Sequence, residues 1–583
     1  MRLVPAASAA LCVSLLALSP QAFARSDLSG SVAEDARSTA VEPIRAAVLA
    51  DLTDRMSRAR DERTRVWLTQ LGTLYAHETA RLFWFDESGW LPHTSPLQNE
   101  LMRADEWGLD PKLIDVPVLH AEGIEGKARA EVGFTLAVLQ YAWQAGGGRV
   151  EPTQLSKWLD HGPRAVDAER LVPAIAGDTD PARALSHLNP QHPQFLALRE
   201  AYLAATGRRV SSDAPPPAIE PIPSGPRIVV GAYHPHVALV RQRLGVPAGG
   251  RDETGFDGEL AAALAQRLRE AGVKWRRRID DDVRRVLNGG GTPRPKGPEL
   301  AKIMVNMERW RWLPRDLGEL HIWNNLPEFE TRVVDKGRAV HRERIIIGKP
   351  ETQTPVFSDR METLVFKPDW GVPSSIKIKS LLPALQEGDY GVIERRGMRI
   401  VRNGKTVDPS RINWDKVDIR SVTIVQDPGS SNPLGEIKFL FPNRHDVYMH
   451  DTPSKGLFSS SSRMFSHGCI RVRNPRRLAE VIFERAERRP AGDVHALLGR
   501  KAKENNRIEL GRQVPVHNVY FTLVADESGK LRSLPDIYRH DWRVSAALAG
   551  TPISRIAAAD PALRLQRELE EIAPSKKRRY ANR

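Results

Sequence analysis

The chain has 583 residues, of which 41% are apolar and 27% charged, an ordinary composition for a soluble globular protein. That length exceeds what one hydrophobic core supports, so two to four domains are expected. Against 72 acidic residues stand 86 basic ones, a formal charge of +14, which would suggest nucleic acid in an internal protein and an anionic envelope polymer or membrane surface in an exported one.

Residues 1–24, MRLVPAASAALCVSLLALSPQAFA, place Arg2 before an apolar run and end in Ala22-Phe23-Ala24. This is the layout of a cleavable secretory signal cut after Ala24. Pro5, Ser14 and Pro20 interrupt the run, which falls short of the ~20 residues a spanning helix needs. No later stretch is apolar enough to span, and Cys12, after Ala-Ala-Leu, is a poor lipidation site. The reading is an exported protein with no transmembrane segment in its mature chain and no nucleic-acid partner. Export also isolates Cys469, since Cys12 leaves with the signal. A lone thiol in an oxidising compartment is a liability unless it is used or buried.

From 25 to 225 the pattern is helical. LQNELMRADEWG (97–108) and AEVGFTLAVLQYAWQAGGGRV (130–150) space apolar residues three and four apart, the second running into helix-stopping glycines. The aromatic cluster RLFWFDESGWL (81–91) reads as packed core ahead of a sugar platform. SSDAPPPAIEPIPSGP (211–226) is a stiff Pro-rich break. A small helical module is expected over 226–297, ending in a Gly/Pro-rich break.

Beyond 298 the period changes to short alternating runs such as ELHIWNN, ETLVFKP, EIKFLF and DVYMH, with a hairpin turn at Asp335-Lys336-Gly337. A mainly-β domain is expected over 298–540, with 373–420 inserted as a subdomain too long for a plain loop. Residues 541–583 are expected to be a basic tail ending in PSKKRRYANR. The fold class is therefore multidomain α+β.

Strand parity brings the chemistry together. In DVYMH, Tyr448 and His450 share a face, and in CIRV, Cys469 and Arg471 share the face opposite Ile470 and Val472. His450 is the candidate base for the Cys469 thiol, oriented by the Asp451 carbonyl. Consecutive N–H groups of His467, Gly468 and Cys469 are candidates for an oxyanion pocket, and Arg471 suits a carboxylate. His445, His450, His467 and Cys469 together offer a zinc set, but the H-x4-H and H-x-C spacings match no strong pattern. No metal and no cofactor is expected.

HDTPSKGLFSSSSRMFSHGCIRV (450–472) resembles the signature of L,D-transpeptidases, the YkuD-domain family of peptidoglycan cross-linking enzymes. MERWRWLP (307–314), GKPETQTPVFSD (348–359), PDWGVPSSI (368–376), NPLGEIKFLFPNRHDVYMHDTPS (432–454) and VPVHNVYFT (514–522) resemble the long, multidomain periplasmic branch typified by YcbB. The resemblance implies a helical scaffold over 25–225, a peptidoglycan-binding-like module at 226–297 and a capping insert beside the catalytic β-domain. It assigns Cys469 as nucleophile and His450 as base. Ser466, His467 and Gly468 would line the oxyanion pocket, with Arg471, Tyr448 and Trp370 as substrate-binding residues. Asp451 stands where many members have glycine. In the module the Phe-Gln pair and the turn glycines of related modules are missing from AQRLREAGVKWRRRIDDDVRRVLN (265–288), so docking competes with glycan binding there.

The implied reaction is acyl transfer. Cys469 attacks the third stem residue of a tetrapeptide, His450 protonates the departing D-alanine, and a neighbouring stem amine resolves the thioester as a 3→3 cross-link. The insert would act as a lid that excludes water. Expected partners are peptidoglycan stem peptides, with an envelope lipoprotein or cell-wall synthesis proteins as further candidates. A cysteine carboxypeptidase or endopeptidase and a non-catalytic wall-binding protein are the competing readings.

Overall fold

Asp61 accepts a hydrogen bond from the Thr64 amide at 3.0 Å, capping a helix whose buried stripe, Trp67, Leu68, Leu71 and Tyr75, follows helical spacing. The computed structural model describes residues 34–558, apart from 78–80, 87–88, 118–121, 163–164, 208–221, 224, 249–251, 271–274, 289–296 and 527–528. The expected secretory signal (1–24) and residues 559–583 of the expected basic tail lie outside the described residues. Two units are distinguished: residues 1–90 with 119–132, and 91–118 with 133–583.

In the first unit, helices α1 (Glu34–Arg58) and α2 (Glu62–Ala76) accompany the aromatic cluster, where Trp84 and Phe85 are buried. The Glu131 carboxylate, also buried, accepts the Tyr75 hydroxyl at 2.9 Å, the Phe83 amide at 2.6 Å and the Trp84 amide at 3.2 Å. The cluster is packed core.

The second unit contains further helices and a mixed α+β region. Helices Pro235–Leu244, Gly258–Glu270 and Asp281–Leu287 enclose a small core of Val237, Val240, Phe256, Leu260, Leu264 and Val283. The main sheet has nine strands: β1 (Leu320–Asn325), β2 (Glu330–Asp335), β3 (Arg338–Gly348), β4 (Phe357–Phe366), β5 (Ile437–Leu440), β6 (Met449–His450), β7 (Met464–Ser466), β8 (Ile470–Val472) and β9 (Asn506–Val519). Their order is β7-β3-β8-β6-β5-β4-β9-β1-β2, and β2 pairs back onto β3, so the sheet closes on itself like a barrel. The β2–β3 hairpin turns through Lys336 and Gly337, both at positive φ, as a two-residue primed turn requires.

The barrel interior is filled by Ile322, Val333, Ile345, Ile347, Leu364, Phe366, Phe439, Met449, Ile470 and Val516, all under 2% exposed. Two segments expected elsewhere join this core. Leu159, from the helical region, is fully buried in it, and so are Val544 and Ile556. Residues 541–558 are therefore not tail: helices His540–Leu548 and Ile553–Ala558 supply apolar side chains that the barrel needs.

The insert folds around its own core of Trp370, Leu381, Leu385, Ile393, Ile400, Trp414 and Ile424. Its strands 405–407, 398–402, 423–426 and 370–371 form a four-stranded sheet in that order. The subdomain thus runs from 370 to 426, wider at both ends than its sequence boundaries. Lys377 holds its base together, donating to the carbonyls of Arg420 at 3.0 Å and Val422 at 2.8 Å. Among the described residues no helix is long and apolar enough to cross a membrane.

Candidate active site

Strand β6 lies parallel to β8, with Met449 beside Ile470 and His450 beside Arg471. Met449 and Ile470 point into the core, which turns Tyr448, His450, Cys469 and Arg471 to the other face. Antiparallel β5 completes the floor, setting Lys438 beside His450.

His450 is 5% exposed, and its Nδ1 lies 2.5 Å from the Asp451 carbonyl. A carbonyl only accepts, so Nδ1 carries the proton and Nε2 keeps its lone pair. Burial first, and then the Arg471 guanidinium, depress the imidazole to about 3, against the carbonyls of Asp451 and Pro433. It is neutral at physiological pH. The Asp451 carboxylate takes no part in this contact: it accepts the Glu436 amide at 2.9 Å and pairs with Lys455. Gly435 makes room for it, since a Cβ there would collide with the carboxylate.

Cys469 is partly buried, and its Sγ donates to the Asp446 carbonyl at 3.8 Å rather than to the imidazole. Burial pushes the thiol above its ordinary value, opposed by the Tyr448 amide and hydroxyl, Lys438 and Arg471. The resting pair is therefore a neutral thiol and a neutral imidazole on one face. Lys438, with its ammonium 4.0 Å from the Tyr448 ring centroid, is lowered by burial and held up by the Cys469 sulfur. Arg471 has a buried Nε without a hydrogen-bond partner.

The turn before Cys469 depends on Gly468, whose φ of +124° is closed to other residues. Its amide donates to Ser466 Oγ at 3.1 Å, and that hydroxyl donates to the Cys469 carbonyl at 2.6 Å. The Gly468 N–H is therefore occupied and is not an oxyanion donor, because Ser466 closes the turn internally. The Cys469 N–H has no protein acceptor among the described residues and points to the better donor. Thr354 pins the turn from outside, donating to the Gly468 carbonyl at 2.7 Å and accepting the Gly348 amide at 2.9 Å.

His467 is exposed; partial burial and the charges of Lys349, Arg471 and Lys379 hold it below its usual value. Lys379 comes from the insert, so that subdomain flanks the cleft. Trp370 does not belong to the cleft. It is 9% exposed and packs inside the insert with Leu381 and Ile424, so its indole is a core group and not a substrate contact. Lys438 and Thr354 escaped the sequence reading, although a lysine interrupting the apolar run EIKFLF was a signal. Among the described residues no group of three or more His, Cys, Asp or Glu side chains is placed to hold a metal.

Residues 319–490 match the family described as the L,D-transpeptidase catalytic domain, YkuD. The chain carries a YkuD L,D-transpeptidase domain. Residues 69–201 match a family described as a scaffold domain. A Haemophilus influenzae protein provisionally named an L,D-transpeptidase is 27% identical over 248 residues, covering 42% of this chain and 49% of that protein. The chain thus spans about half the length of this curated relative. Among solved structures, an L,D-transpeptidase from Mycobacterium smegmatis is 13% identical with a TM-score of 0.16, over 34% of this chain and 58% of that one. One from Xylanimonas cellulosilytica is 15% identical with a TM-score of 0.14, over 52% of this chain and 100% of that one. Neither superposition is close enough to carry weight.

Proposed function

We propose that this protein is a peptidoglycan L,D-transpeptidase of the long YcbB-like branch, acting in the periplasm after export on its 1–24 signal. The observation that carries this reading is a neutral thiol and a neutral, tautomer-fixed imidazole on one face of a YkuD barrel, with the Lys438 and Arg471 cations beside them. A stem-peptide carboxylate is drawn to Arg471 and Lys438, and desolvates the cleft as it binds. Thiol deprotonation accompanies attack: Nε2 of His450 takes the Cys469 proton as sulfur adds to the carbonyl of the third stem residue. The Cys469 amide faces the developing oxyanion. Collapse expels D-alanine with the proton returned by His450, leaving a thioester. A side-chain amine of a second stem then attacks, His450 accepts its proton, and the thiol is regenerated with a 3→3 cross-link formed. Lipoproteins and cell-wall synthesis proteins remain candidate partners, and water as acceptor would make the enzyme an L,D-carboxypeptidase.

The test is mass spectrometry of a disaccharide-tetrapeptide incubated with the protein, beside its Cys469→Ala variant. A cross-linked dimer lacking one D-alanine, absent with the variant, is expected. D-Alanine release without dimer assigns the carboxypeptidase, and no Cys469-dependent product overturns the enzymatic reading.

A further inference from the structure

Two loops meet at Cys469, and one short segment from the scaffold stretch grips both. The first, 349–356, carries Thr354, which holds the Gly468 carbonyl. The second, 442–447, carries the Asp446 carbonyl that receives the Cys469 thiol. Residues Trp158–Asp160, within the stretch matched as scaffold, run alongside. The Asp160 amide donates to the Val356 carbonyl at 2.8 Å, and the Val356 amide donates to the Trp158 carbonyl at 2.7 Å. Leu159, between them, is fully buried in the barrel core.

The Asp160 carboxylate grips the other loop. It accepts Arg444 Nε at 2.6 Å and also Arg444 Nη2, and it meets His445 Nε2 at 2.7 Å. The loop needs such support. Asp446 sits at φ +54°, a left-handed conformation that strains a non-glycine residue and persists only where the surroundings fix it. Asn443 fixes the loop from within, its Oδ1 accepting the amides of His445 at 3.0 Å and Val447 at 3.2 Å and its Nδ2 donating to the Val447 carbonyl at 2.7 Å. Asp160 fixes it from outside.

We propose that Asp160 is a positioning residue for the nucleophile, reaching from the scaffold to hold the Asn443–Val447 turn so that the Asp446 carbonyl orients the Cys469 thiol. The proposal rests on the reading of Cys469 as the nucleophile. A barrel made of residues 319–558 alone lacks this contact, so the scaffold stretch is part of the active-site architecture rather than a tether.

The test uses the full chain and two readouts, steady-state acyl transfer and the pH dependence of Cys469 alkylation by iodoacetamide. Asp160→Ala is expected to lower kcat by roughly ten- to a hundredfold while KM stays within about twofold, the pattern of a misplaced reacting atom. The alkylation midpoint is expected to move to lower pH, because a thiol freed from its carbonyl acceptor loses what stabilised its protonated form. A folded Asp160→Ala protein with an unchanged alkylation profile overturns the proposal. Should that variant fail to fold, Arg444→Gln combined with His445→Gln removes the same contacts from the loop side, with the same expected shift and the same overturning result. Alkylation does not require acyl transfer. A shifted midpoint in a protein whose wild type makes no Cys469-dependent product therefore leaves the positioning claim standing while the transpeptidase reading falls.

Discussion

At Cys469 and His450 the resting chemistry is that of two neutral groups, and this separates the roles of the residues around them. His450→Gln removes the proton acceptor but not a resting partner of the thiol, since Sγ is turned to the Asp446 carbonyl. Acyl transfer should fall by roughly a hundredfold or more, while iodoacetamide alkylation of Cys469 at a fixed pH stays nearly unchanged. Lys438→Met should act on the thiol as well. It takes away a cation that favours the thiolate, so alkylation at pH 8 should slow by roughly three- to tenfold, measured as a second-order rate. The shared face was legible in the sequence because strand parity alone places Tyr448, His450, Cys469 and Arg471 together. Lys438 was not, because a lysine in a strand reads as a surface charge until the register sets it beside His450. Trp370 misled for the opposite reason. A tryptophan next to a motif looks accessible, and only the core of the insert shows it spent on packing.

The elements that hold the site are short, and their precision comes from side chains that tie turns to one another. Strands β6 and β8 have two and three residues, too few to fix a reactive geometry by ladder hydrogen bonds alone. Thr354 does much of that work, joining the Gly468 carbonyl to the Gly348 amide. Thr354→Val keeps the volume and removes both bonds, so it should lower stability by about 1–3 kcal/mol for groups left unsatisfied, read as a drop in Tm. Helical segments, the Pro-rich break, the β-rich half and the insert could be recognised from period and composition. The 370–426 extent of the insert could not, because its closing strands 370–371 and 423–426 look like continuations of the barrel strands beside them. Nor could the last two helices be separated from the tail: Val544 and Ile556 are buried by contacts distant in sequence, which no local pattern records.

Across the whole molecule, buried histidines set the response to acid. His450 is held at about 3, and His192 and His517 at about 4, in each case chiefly by burial; His321 and His540 are lowered the same way. Each stays neutral when folded but takes up a proton when unfolded below about 6.5. Their contribution is thus fully present above that pH and is lost as pH falls toward 4. The raised carboxyls of Glu100, Glu131, Glu308, Asp359 and Asp536 act in the opposite sense, Glu131 from about 7; among the described residues they are fewer than the lowered histidines, which also include His236, His341 and His467. Thermal melts should show Tm declining by several degrees between about pH 6.5 and pH 5, where the unfolded histidines take up protons and the folded ones do not.

The contact between the Cys469 thiol and the Asp446 carbonyl has one more consequence, in redox terms. Peroxides and other oxidants attack the thiolate, not the thiol. A sulfur kept protonated by burial and capped by a carbonyl is therefore chemically quiet. Under the proposed function, the same arrangement that delays attack on a peptide would keep a lone cysteine from being consumed between turnovers.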